Sequence, residues 1–121
     1  MISDKLVSRY DELKREAPGC LLLMQVGAFM KVLGDDARSV SEVTGLKLQM
    51  SGSVEQPVVL GGFPKSGLDA YVGKLVRARH SVAVAFQDAD KERKLEEVIR
   101  VANGSGGGAA EYERGASDGA V

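Results

Sequence analysis

The sequence predicts an α/β fold of the α+β type, with about six strands and three helices in one small domain. The chain has 121 residues and 44% of them are hydrophobic, which suits a single buried core. Six short segments are apolar runs or alternate apolar with polar residues, as strands do. Three further segments repeat apolar residues at helical spacing, and breaks rich in glycine and proline separate the segments.

The first helix is predicted at residues 4–16. Ser3 is a suitable N-cap, and Pro18-Gly19 ends the pattern. The apolar residues that recur at helical spacing are Leu6, Tyr10 and Leu13.

Two strands are predicted on either side of a glycine, at residues 20–26 and 29–33. The first is too short for a helix between its breakers, and Gly27 lets the chain bend. In the second strand, alternation places three side chains on one face and two on the other, core-facing side: Phe29, Lys31 and Leu33 against Met30 and Val32. Phe29 and Lys31 are therefore predicted to point outward together.

The middle of the chain predicts a second helix, two strands and a third helix. Helix 2 is predicted at residues 36–44, with Asp35 as N-cap and Gly45 just after its end. Strands follow at residues 46–50 and 58–60. Helix 3 follows the capping-box spacing of Ser66 to Asp69, and its apolar face consists of Leu68, Tyr71, Val72, Leu75 and Val76.

The last predicted strands are residues 82–86 and 96–102, although the spacing of Leu95, Val98 and Ile99 would also suit a helical turn. Beyond them the composition shifts to Gly, Ala and Ser, which bury too little apolar surface to offset their ordering entropy. The domain is therefore predicted at residues 1–102, and residues 103–121 are predicted to be a disordered tail.

Charge and composition exclude several classes of function. The net charge is −1, so any affinity for DNA depends on where cations cluster and not on their total. With His80 and Cys20 as the single residues of their types, no zinc site of usual composition is expected. No phosphate-binding loop or nucleophile with a base is apparent, so we expect no enzyme and no cofactor. No secretory leader or long apolar run is apparent, so we expect a cytoplasmic protein without membrane contact.

The segment LLLMQVGAFMKVLGDDA, residues 21–37, resembles the opening of the MutS family of DNA mismatch-repair proteins, where a strand is followed by Gly-x-Phe-Tyr-Glu. Phe29 matches the aromatic residue that in the family wedges into the minor groove at a mispaired base. Met30 stands in place of the usual Tyr, and Lys31 in place of the usual Glu.

The resemblance extends in order over residues 5–101. Further matching segments are Tyr10 to Lys14, Val59 to Pro64, Ala70 to Val76 and Ser81 to Gln87. Lys65-Ser66 replaces the family's Tyr-His, and Phe86 replaces an acid. The resemblance implies the family's N-terminal mismatch-recognition domain, with a mixed sheet of about six strands. The family's core, lever, clamp and ATPase domains find no counterpart in these residues, so it implies a module without an ATPase of its own.

Two functions are compatible with these residues. The first is binding of double-stranded DNA, mispaired or distorted, by Phe29, Lys31, Lys65, Arg77 and Arg79. Because a lysine only donates hydrogen bonds, Lys31 predicts less mismatch discrimination than a glutamate. The second is a protein-interaction module that keeps the fold, with a partner protein supplying the missing functions. In that case Phe29 would be an ordinary core residue and Lys31 a solvated strand-edge lysine.

Overall fold

The computed structural model describes residues 2–101 and the backbone of residues 110–114. The helices are α1 Asp4–Glu16, α2 Gly34–Thr44 and α3 Leu68–Arg77. The strands are β1 Cys20–Val26, β2 Phe29–Leu33, β3 Leu48–Gly52, β4 Pro57–Pro64, β5 Ser81–Gln87, β6 Arg93–Val101 and β7 Ala110–Arg114. The predicted bounds of the first helix and of the first two strands are confirmed.

The described strands form one mixed sheet in the order β3-β4-β2-β1-β5-β6-β7. The central pair, β1 and β5, is parallel, and all other neighbours are antiparallel. The predicted fold class, a mixed sheet with three helices, is confirmed. The six predicted strands are joined by a seventh.

Helices cover both faces of this sheet. The α1 side holds one buried cluster that includes Leu13, Leu22 and Met24, and the side of α2 and α3 holds a second that includes Leu23 and Leu75. Alternate residues of β1 enter opposite clusters, which explains why this strand is a continuous apolar run.

A buried carboxylate fixes the start of α2 against α1. Asp36 is 8% exposed and accepts hydrogen bonds from the Leu22 N–H at 3.0 Å, the Tyr10 hydroxyl at 3.1 Å and the Lys14 ammonium at 2.9 Å. Burial, and next the charge of Asp36, raise the pKa of Tyr10 well above its ordinary value. The prediction that Asp35 caps this helix is wrong, because Gly34 at φ +62° already opens the helix and Asp36 turns inward.

Glycines explain the differences in the middle of the chain. The strand predicted at residues 58–60 continues to Pro64 because Gly61 makes room for neighbours: a Cβ there would lie 2.7 Å from Leu46 Cδ2 and 2.9 Å from Leu48 Cδ2. β3 begins two residues later than predicted. The capping box at Ser66 is also wrong, because a 3₁₀ turn over Lys65–Gly67 precedes α3 and Gly67 occupies the N-cap.

A bulge explains the irregular pattern of the sixth strand. Val84 pairs with Glu97 and Ala85 with Leu95, so one extra residue of β6 interrupts the alternation. The helical alternative for this segment is wrong. β7 pairs with β6, so the prediction of disorder is wrong for residues 110–114, while residues 103–109 and 115–121 of the predicted tail lie outside the described residues. No helix in the described part is long and apolar enough to cross a membrane.

Candidate nucleic-acid interface

The hairpin of β1 and β2 ends in a two-residue turn, Gly27-Ala28, at one end of the sheet. Gly27 has φ +62°, a conformation that glycine adopts without steric cost. Phe29 follows directly and pairs with Val26 on one side and Pro64 on the other. Its side chain is 47% exposed, which contradicts the alternative that Phe29 is an ordinary core residue.

Lys31 lies beside Phe29 on the same face. Its ammonium is 5.4 Å from the centroid of the Phe29 ring. Its chain lies over Gly62, where a Cβ would approach Lys31 Cδ and Nζ to 3.1 Å. Since β2 lies between β4 and β1, the alternative of a strand-edge lysine is wrong.

Exposure on this face is confined to the end near the turn, where Phe29 is exposed and Lys31 is half-buried. Met30 and Val32 are fully buried, as predicted. Leu33 shares the face of Phe29 and Lys31 but is only 5% exposed, because it belongs to the buried cluster on the α1 side. The expectation that this face points outward therefore holds at Phe29 and Lys31 and fails at Leu33.

Lys65 is brought to the same end of the sheet by β4. Its backbone N–H donates to the Ala28 carbonyl at 2.9 Å, so the two turns touch. Its ammonium lies 5.2 Å from the centroid of the Phe86 ring. The structure therefore brings Phe29 and Lys31 together on one face, and it places Lys65 at the same end of the sheet with its ammonium over Phe86, which packs on the α2 and α3 side. We call these three residues, Phe29, Lys31 and Lys65, the tip surface.

Arg77 and Arg79 lie elsewhere. Arg77 is the last residue of α3 and Arg79 lies between this helix and Ser81, the first residue of β5, whereas the tip surface lies at the Gln87 end of that strand. Seven residues of strand span roughly 20 Å. The two arginines are thus predicted DNA contacts that do not belong to the tip surface.

Three residues near the tip were not among the predicted contacts, and Arg93 joins them there: Arg9, Gln25 and Gln87. The Arg93 Nε donates to the Gln25 carbonyl at 2.6 Å, and Arg9 donates to the Arg93 carbonyl. Burial is the main cause that lowers the pKa of Arg93 from its ordinary value, and the charge of Arg9 lowers it further. These contacts link α1 and β6 to the end of β1.

Arg93 extends the positive charge across the sheet. It pairs with Gln87, which bonds to the β1–β2 turn, so three strand spacings separate Arg93 from Phe29. The two backbones are therefore about 14 Å apart at about 4.8 Å per strand, and the Arg93 side chain extends back to the Gln25 carbonyl on β1. Arg93 reaches this end of the sheet because it is the first residue of β6, whose antiparallel pairing places it beside Gln87 at the end of β5.

Comparison with known proteins gives a consistent result. The family described as MutS domain I matches residues 4–107. A DNA mismatch repair protein MutS from Porphyromonas gingivalis is 35% identical over 94 residues, which cover 77% of this chain and 10% of that protein. The MutS of Flavobacterium psychrophilum is 37% identical over 86 residues, 70% of this chain and 10% of that protein. The chain thus spans about a tenth of the length of these curated relatives.

Proposed function

Because the chain belongs to the MutS domain I family, we propose that it is a DNA-binding module that inserts Phe29 as a wedge at mispaired or distorted duplex. The observation that carries the proposal is the 47% exposure of Phe29 beside a hairpin turn. Proteins that bind the minor groove use such apolar wedges to unstack a base step. Unstacking costs least where pairing is already faulty, so the wedge favours those steps.

The cations of the tip surface supply the general part of the affinity. Lys31 lies beside Phe29 and Lys65 lies at the same end of the sheet, and neither forms an ion pair among those found in the described residues. Few phosphate contacts and a net charge of −1 imply weak, salt-sensitive binding, with a Kd of about 10⁻⁴ to 10⁻⁶ M at physiological salt.

Lys31 lowers the mismatch preference. A lysine has three donors and no acceptor, so it binds phosphate or groove acceptors that every duplex offers. A carboxylate at this position would instead accept a hydrogen bond from a displaced base. We therefore propose recognition with reduced specificity, without ATPase or other catalysis by this chain, and with a partner protein supplying the remaining functions.

Titration of two duplexes tests this function. The duplexes share one sequence, and one of them carries an unpaired thymine. The unmodified protein should bind the distorted duplex more tightly, and Phe29→Ala should reduce that preference while changing matched binding less.

Met50→Ala is the matched control, because Met50 is an exposed hydrophobic residue (63%) on β3, away from the tip. It should leave both affinities unchanged. Equal loss for both duplexes in Phe29→Ala would contradict the wedge. No duplex binding at low salt would contradict the DNA function and favour the protein-interaction alternative.

A further inference from the structure

The exposed turn at Gly27-Ala28 is held by protein groups on three sides. The Gly27 N–H donates to Gln87 Oε1 at 2.8 Å, and the Gly27 carbonyl accepts from Gln25 Nε2 at 2.9 Å. The Ala28 carbonyl accepts from the Lys65 N–H at 2.9 Å. Water could satisfy such exposed groups equally well, so these contacts restrict the position of the turn more than they protect buried polar atoms.

Further hydrogen bonds fix the side-chain amides of the two glutamines. The Gln87 N–H donates to Gln25 Oε1 at 2.8 Å, and Gln87 Nε2 donates to the Lys91 carbonyl at 3.3 Å. Each amide group therefore uses both its acceptor and its donor end. This pairing fixes the orientation of both amides, because a flip would set donor against donor.

We propose that Gln25 and Gln87 are positioning residues that hold the turn so that Phe29 meets the duplex at a fixed place and angle. The proposal rests on the wedge function proposed above. A wedge must enter one base step, and a binding group that is loose by about 1 Å loses much of its selectivity. Neither glutamine belongs to the buried core, so their hydrogen bonds serve the turn more than the packing of the domain.

Three substitutions separate positioning from general stability. Gln87→Met keeps the length of the side chain but removes the acceptor for the Gly27 N–H. Gln87→Glu keeps that acceptor but, like Gln87→Met, loses the donor to the Lys91 carbonyl, so the two variants differ at the Gly27 N–H. The added charge weakens binding to both duplexes alike and cancels in their affinity ratio. Gln49→Met is the matched control, since Gln49 is an exposed glutamine on β3.

The first measurement is NMR relaxation of the backbone without DNA. Order parameters at Ala28 and Phe29 should be about 0.85 in the unmodified protein and fall toward about 0.6 in Gln87→Met. Gln87→Glu and Gln49→Met should keep the original values. Unchanged order parameters in Gln87→Met would overturn the proposal.

The second measurement is the ratio of affinities for the distorted and the matched duplex. Gln87→Met should lower this ratio by about threefold to tenfold, the factor that one net hydrogen bond supplies, and Gln87→Glu should restore it. A loosened turn with an unchanged ratio would also overturn the proposal. If the unmodified protein does not distinguish the duplexes, the wedge function fails, and relaxation alone decides whether the glutamines fix the turn.

Discussion

Two hydrogen-bonded networks in this molecule lie in opposite settings, one buried and one at an exposed turn. Asp36, Tyr10 and Lys14 bond beneath α1, where the carboxylate and the phenol are buried. Gln25 and Gln87 bond around an exposed turn. Loss of a partner leaves a buried group without water in the first case, whereas water replaces the partner in the second. The buried network should therefore govern stability, and the exposed one should govern the position of Phe29.

The largest expected effect is on the buried network. Asp36→Ala removes the acceptor of the buried Leu22 N–H and the charged acceptor of the Tyr10 hydroxyl and the Lys14 ammonium, which keep the Leu22 and Cys20 carbonyls. We expect the free energy of unfolding in urea to fall by about 2 to 3 kcal/mol. Asp35→Ala, at the exposed neighbouring position, should cost less than about 0.5 kcal/mol. Similar losses in both variants would remove the contrast between the two networks.

Alkaline pH should weaken the same network to a lesser degree. The folded-state pKa of Tyr10 is raised by burial and by Asp36, so folding favours the protonated phenol. This contribution is complete below the unfolded pKa of about 10 and is lost as pH rises toward the folded pKa, at about 1.4 kcal/mol per pH unit. Urea unfolding between pH 8 and about 11 measures the slope. Tyr10→Phe should flatten it, and a slope unchanged in Tyr10→Phe would assign the loss to other groups.

Substitution of Phe29 at the tip should hardly change the free energy of unfolding. Phe29→Ala removes a side chain that is 47% exposed, and we expect the free energy of unfolding to change by about 0.5 kcal/mol or less. Urea denaturation of the two proteins checks this. A loss of about 3 kcal/mol would mean that Phe29 behaves as a core residue. The exposed network would then also govern stability, and the contrast with the buried network would be lost.

The smallest effect on stability is expected at Lys31, where the change should appear in the salt dependence of binding. Lys31→Ala should weaken all duplexes similarly and reduce the slope of log K against log salt by about 1. Lys31→Glu restores the family residue, and we expect a higher preference for the distorted duplex at lower total affinity. An unchanged salt slope in Lys31→Ala would exclude a phosphate contact.

The sequence predicted correctly those helix and strand bounds that are set by a proline or glycine directly beside the element. Pro18-Gly19 and Gly27 set the bounds of α1, β1 and β2, and period-two alternation predicted the exposure of Phe29. The same treatment of glycine as a break failed at Gly61, which continues β4 because leucine side chains fill the space of its missing Cβ. Glycine ends a strand or allows close packing, and only the neighbours decide which.

The candidate site was predicted in part for a related reason. Burial of Leu33 depends on the packing of α1, which the alternation within β2 does not encode. Arg77 and Arg79 are near Lys65 in sequence, but α3 carries them to the other end of the sheet. The contact between Gln25 and Gln87 joins residues 62 positions apart and depends on the parallel pairing of β1 with β5.

That parallel pairing also has a consequence for the order of folding. The β1–β2 hairpin is local and can form within microseconds, whereas its turn receives the Gln87 acceptor only after β5 has closed a long loop beside β1. The turn that displays Phe29 is thus held in part by a contact between residues 60 positions apart. During synthesis, a nascent chain that ends before Gln87 can form the hairpin without its final geometry. The position of the aromatic side chain is therefore fixed only after β5 has joined β1.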